Sequence, residues 1–130
     1  MADAAKQHLT ASHAGIRLIA QMTIFNKGDF ERLRTYVQDN YAAGALAMIS
    51  AKARLAELKA IKRIDGKMRV EQVVAAGEHE VIVVLVAERG EAVYLTQLAV
   101  EEEFPHKITF FSQGKMDKVE EEEELSDDIH

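Results

Sequence analysis

Five histidines, His8, His13, His79, His106 and His130, are the side chains best able to ligate a metal or move a proton near neutral pH. A helical ligand pair needs two of them three or four positions apart, so that both project from one face. None is so placed, and His8 and His13, five apart, point in different directions. Glu78-His79-Glu80 is compact, but the preceding Gly77 places it in a turn. No zinc-type spacing occurs, so no metal site is expected. His13 falls on the stripe of Leu9 and Ile16 and reads as a hydrogen-bonded core or rim residue. The chain has no cysteine, which excludes disulfides, thiolate catalysis and cysteine-based zinc sites. Ser12, Ser50, Ser112 and Ser126 lack a Gly-x-Ser-x-Gly setting, and there is no glycine-rich phosphate loop, so no cofactor is expected.

Tyr36, Tyr41, Tyr94 and Gln97, with Thr96, are the polar groups able to project near a cavity, and the first four are the candidate ligand-binding residues. Each also reads as a packed residue with a satisfied polar tip. Tyr94 and Gln97 lie on opposite faces of one strand, so only one of them faces the helices. Asp39, just before Asn40-Tyr41, is the only acid between the second and third predicted helices that can serve as a general base.

The formal charge of -6 is unevenly spread. Eight acids and one base fall in residues 117–130, which leaves 14 acids and 15 bases in residues 1–116. The body is a single domain over 1–116, and the acidic tail 117–130 reads as solvated and disordered. A sharper expectation is that the tail folds back on a basic surface of the body. Seven bases between Lys52 and Arg69 (Lys52, Arg54, Lys59, Lys62, Arg63, Lys67, Arg69) face only Glu57 and Asp65. No aromatic residues interleave them, so they read as a solvated helix face and no nucleic-acid partner is expected. The N-terminus lacks the apolar core of a signal peptide, and no apolar run approaches the roughly 20 residues that span a bilayer. A cytoplasmic protein with no membrane association is the expectation.

The elements that must position these groups follow from periodicity. Leu9, His13, Ile16, Ala20 and Thr23 predict a first helix from Asp3 to Asn26. Phe25-Asn26-Lys27-Gly28-Asp29-Phe30 then stops one helix and starts the next, with Gly28 supplying the left-handed close and Asp29 the cap. Phe30, Leu33, Val37 and Tyr41 share a face of the second helix, Phe30 to Asn40. A third, alanine-rich helix from Ala43 to Ile64 carries Met48, Leu55, Leu58 and Ile61, and its small side chains suit it to lie flat across a sheet. The period then changes to 2, giving strands at 68–76, 81–87, 92–100 and 107–113 with a short turn at Arg89-Gly90. The connections are too short for crossovers, so the sheet is antiparallel. The strand Val81 to Ala87 is apolar on both faces, and an apolar outer face points to a homodimer pairing sheet to sheet. The expected fold is α+β, with three N-terminal helices packed on a curved antiparallel four-stranded sheet.

The pattern Leu18-Ile19, Phe25-Asn26, Gly28-Asp29, Leu33 and Tyr36, followed by a long helix and a strand meander, resembles the nuclear transport factor 2-like superfamily. That cone-shaped group includes ketosteroid isomerase, scytalone dehydratase and SnoaL-like polyketide cyclases. The likeness is greatest to accessory domains of this type found beside serine hydrolases, whose last strand follows Pro-x-x-Ile, here Pro105-His106-Lys107-Ile108. The resemblance covers about residues 12–113. It implies a curved sheet, an apolar cavity between sheet and helices, and commonly a dimer. The family's catalytic sets find no match: the third and fourth strands carry no interior acid, and the tyrosines are isolated. The expected function is a non-catalytic domain that binds a small apolar ligand or dimerises. The alternative is an isomerase or cyclase acting on a small hydrophobic carbonyl compound, with Asp39 as base.

Overall fold

The computed structural model describes residues 3–116; the tail read as disordered, or as folding back on the body, lies outside the described residues. Five helices come first: α1 (Asp3–Thr10), α2 (His13–Lys27), α3 (Phe30–Asn40), α4 (Ala43–Met48) and α5 (Ala51–Asp65). Four strands follow: β1 (Met68–Ala76), β2 (Glu80–Ala87), β3 (Val93–Val100) and β4 (Ile108–Met116). They form one open antiparallel sheet in the order β1-β2-β3-β4. The chain is therefore α+β, and among the described residues all helices precede the strands. No helix among the described residues is long and apolar enough to cross a membrane.

Two of the three expected helices are each divided, and a serine makes each division. Ser12 takes an extended backbone and accepts from Gly15 N at 2.9 Å, so it caps α2 rather than continuing α1. Ser50 does the same for α5 through Ala53 N at 3.1 Å. Each break resets the helical phase. The stripe drawn from Leu9 does not continue along α2: Ile16 is 52% exposed, and the buried face runs through Ala14, Leu18, Gln21 and Phe25. Met48, expected in the core, is 86% exposed for the same reason.

The hinge has the expected form. Gly28 closes α2 at φ 73°, and Asp29 accepts from Arg32 N at 3.1 Å to cap α3. Asn26 adds a role that local reading missed. Its side chain donates to Met68 O and accepts from Met68 N, both at 2.8 Å, fastening the end of α2 to the start of β1.

Helix α2, not the alanine-rich segment, lies across the sheet, while α5 packs chiefly on α3. The inner face of the sheet presents Val70, Val81, Val83, Leu85, Tyr94, Thr96, Leu98 and Ile108 to the helices, all buried. Strict alternation in β1 is interrupted twice, between Val70 and Gln72 and between Val73 and Ala75. These bulges turn Val73 inward against Val83 and leave Val74 52% exposed. On the outer face Ile82, Val84 and Val86 are half-buried, and Leu95 and Phe110 are exposed.

Candidate functional site

The residues that come together most suggestively lie between α5 and β4. Tyr41 follows α3, and the Ala42 N–H donates to Ile108 O at 2.8 Å, so this corner is pinned to the start of β4. Beside this corner α5 and β4 flank a cleft of about 510 Å³. Leu58 and Ile61 of α5 and Phe111 of β4 form its apolar walls, and Tyr41, Arg54, Glu57, Gln113 and Lys115 supply polar groups. Opposite Gly114, which has no side chain, the cleft reaches Leu95 on the neighbouring strand. Its inner end narrows to a small apolar pocket where Leu58, Phe111 and Gln113 meet Leu18, Phe25 and Leu85.

Arg54 is the unusual member. It is buried, its Nε donates to Ile49 O and its Nη2 to Ala45 O, both at 2.9 Å. Its guanidinium carbon stands 4.8 Å from the centroid of the Tyr41 ring. Tyr41 in turn donates from its hydroxyl to Gln21 Oε1 at 2.7 Å. Burial pushes the Tyr41 phenol well above its ordinary range, against the opposing pull of the Arg54 charge and the Gln21 bond. Tyr41 is thus held as a neutral donor.

Of the other expected site residues, none lines this cleft. Tyr36 is half-buried on the far side of α3 and donates to Arg17 O at 2.9 Å; burial raises its phenol too, opposed by Arg17. Asp39 is exposed, in a surface groove between α2 and α3 that shares no lining residue with the cleft. Tyr94 faces the helices and donates to the buried Asp65 carboxylate, and burial together with that carboxylate pushes it up to about 12. Gln97 is on the outer face, donating to Glu80 Oε2 at 2.7 Å. Thr96 is fully buried, and its hydroxyl has no hydrogen-bond partner among the described residues.

Three histidines that look unrelated in sequence do converge. His13 and His106 stack with ring centroids 3.7 Å apart, and His79 lies 6.2 Å and 6.0 Å from them respectively. Glu78 adds a contact to His13 Nε2 at 3.2 Å. Face-to-face rings direct their nitrogens sideways, and among the described residues no group of three or more His, Asp or Glu side chains has the arrangement to hold a metal ion. The cluster joins segments: Arg17 donates to Pro105 O at 2.8 Å and His106 O at 3.2 Å and also to Asn40, tying the β3–β4 loop to α2 and α3.

The basic stretch likewise separates. Lys52 and Lys59 border a groove between α3 and α5 with Arg34, Arg69 pairs with Glu71 on β1, and Arg54 turns inward to the cleft. A signal for Arg54 exists in the sequence: it shares the three- and four-residue spacing of Leu58 and Ile61, a cation on an apolar stripe.

No family model matches the chain, and it has no significant match to a curated protein or to a solved structure.

Proposed function

We propose that this chain is a non-catalytic ligand-binding domain of the nuclear transport factor 2-like type, working in the cytoplasm and taking a small, mainly apolar molecule between α5 and β4. The observation that carries this reading is the cleft itself. Its volume of about 510 Å³ falls in the range of roughly 300–1,000 Å³ usual for small-molecule sites, and apolar walls with a few convergent polar groups match their usual chemistry. The arrangement favours binding over turnover. Among the described residues its one lining carboxylate, Glu57, is exposed to water rather than held against apolar walls, and no histidine lines it. The isomerase or cyclase alternative rests on Asp39, which is exposed and lies outside the cleft. Native mass spectrometry of the purified full chain tests the binding reading: a co-purifying small molecule, lost in a Phe111→Lys or Leu58→Lys variant that remains folded, is the expected result.

A second reading, homodimerisation, draws on the outer face of the sheet. Ile82, Val84 and Val86 lie beside Leu95, 43% exposed, and Phe110, 47% exposed, stands further along the same face across from Ala99. Exposed contiguous apolar side chains favour association with a second such face. Sedimentation analysis of the wild type beside Leu95→Glu and Phe110→Glu checks this, with a dimer expected only for the wild type.

A further inference from the structure

We infer that the cleft selects an amphipathic carboxylate, with the hydrocarbon part along Leu58, Ile61 and Phe111 and the anion at Arg54; the inference rests on the ligand-binding reading above. The starting point is a buried cation without a counter-ion among the described residues. Arg54 is 8% exposed, and the only ion pairs among the described residues are His13–Glu78 and Arg69–Glu71. Taking an ionised group out of water costs several kcal/mol unless a charge or hydrogen bonds replace the water, so buried cations are normally paired. Two backbone carbonyls and the Tyr41 ring compensate Arg54 in part. Its Nη1 makes no hydrogen bond among the described residues. Thr96 Oγ1 alone among their side-chain polar atoms is sealed off without a partner, so Nη1 keeps some accessible surface, on a side chain that lines the cleft.

The surroundings specify the sign and shape of the missing partner. Lys115 lines the cleft from β4, and Glu57, the single acid in the lining among the described residues, forms no ion pair with the guanidinium and so lies farther than 4 Å from it. A planar guanidinium with free N–H groups matches a carboxylate in geometry as well as charge. Its rotamer is already fixed by the Ala45 and Ile49 carbonyls, so little order is lost on binding. Apolar walls continue from that point to the narrow inner pocket lined by Leu18, Phe25 and Leu85. A head that is anionic and a tail that is aliphatic satisfy both ends.

The test compares decanoate with decanamide and 1-decanol, by calorimetry on the full chain stripped of bound lipid. Hydrogen bonds to charged groups contribute about 1.5–3 kcal/mol, so decanoate is expected to bind roughly tenfold to a hundredfold tighter than either neutral analogue. Arg54→Lys should keep part of the preference and Arg54→Gln should abolish it, while both retain binding of 1-decanol. Equal affinity for all three compounds overturns the carboxylate inference and leaves the ligand-binding reading standing; failure of all three to bind overturns both. A chain with Asp117 and the acids from Glu120 to Glu124 neutralised should show the same preference. If the preference appears only in that chain, its own acids occupy the Arg54 position and the inference is overturned.

Discussion

Arg54 lies over the face of Tyr41, its guanidinium carbon 4.8 Å from the ring centroid, and thereby joins α5 to the corner between α3 and α4. The same side chain holds the Ala45 carbonyl, which also accepts from Ile49 N, and the Ile49 carbonyl just past the short helix α4. One residue thus caps a helix that is too short to be stable by itself and shapes the mouth of the cleft. Arg54→Ala removes two charge-assisted hydrogen bonds and the cation–π contact, and is expected to destabilise the fold by about 2–4 kcal/mol in urea unfolding. Arg54→Lys, which cannot reproduce the planar fork, is expected to lie between the two.

Gly15 is demanded by its neighbour. A Cβ built at this position would come 1.8 Å from the Leu9 carbonyl oxygen, far inside van der Waals contact, and the obstruction is backbone rather than a movable side chain. Gly15→Ala must therefore push α1 away from α2, although alanine is ordinarily the better helix former. Leu9, fully buried, would lose its site in the core. The expected cost is at least the roughly 1–3 kcal/mol of an overpacked core, with early loss of amide protection in α1 as the identifying signature in hydrogen exchange.

What was legible in the sequence was the local part of this structure. The Gly28-Asp29 hinge, the α3 face of Leu33, Val37 and Tyr41, and the four-stranded meander all follow from periodicity and turn chemistry, which act over a few residues. The divisions at Ser12 and Ser50 were missed because serine inside an apolar repeat fits a helix interior as readily as a cap. Which applies at Ser12 depends on α1 crossing α2 at Gly15, a contact between elements. The two bulges in β1 have the same character, since they are set by its pairing with β2. The site lay further out of reach. Tyr41 was singled out and does line the cleft, but the significance of Arg54 appears only once α5 stands opposite β4. His13, His79 and His106 are stacked by three separate segments, and no spacing along a chain encodes that.

Thr96 offers a stabilising change. It stands fully buried on the inner face of β3 with a hydroxyl that has no partner among the described residues. The unfolded chain hydrates that hydroxyl, so burying it unpaired opposes folding. Valine has nearly the same shape and no polar atom, and its β-branched form suits a strand. Thr96→Val is expected to raise stability by about 1 kcal/mol, read as a higher denaturation midpoint with an unchanged dependence on denaturant. A decrease instead would mean that the hydroxyl is satisfied in solution, for instance by a water reached through Gln113, which pairs with Thr96 across the strands.

Tyr94 makes the fold sensitive to alkali. Its hydroxyl donates to the buried Asp65 carboxylate, and burial with that negative neighbour pushes the phenol up to about 12, against about 10 in an unfolded chain. A group whose acid form is favoured by folding stabilises the native state fully below its unfolded pKa. Above pH 10 the unfolded chain releases the Tyr94 proton while the native state keeps it, so the unfolded state binds fewer protons and stability falls as pH rises. The loss continues until the native phenol itself ionises near pH 12, where a phenolate would face the Asp65 carboxylate across a former hydrogen bond. Tyr94→Phe removes this proton from both states. The variant should be less stable than the wild type at pH 8, because Asp65 is left buried without its donor, and the gap should narrow between pH 10 and 12. Chemical denaturation across that window checks the sign: a gap that stays constant would show that Tyr94 titrates normally in the folded protein, and one that widens would show that folding favours its phenolate.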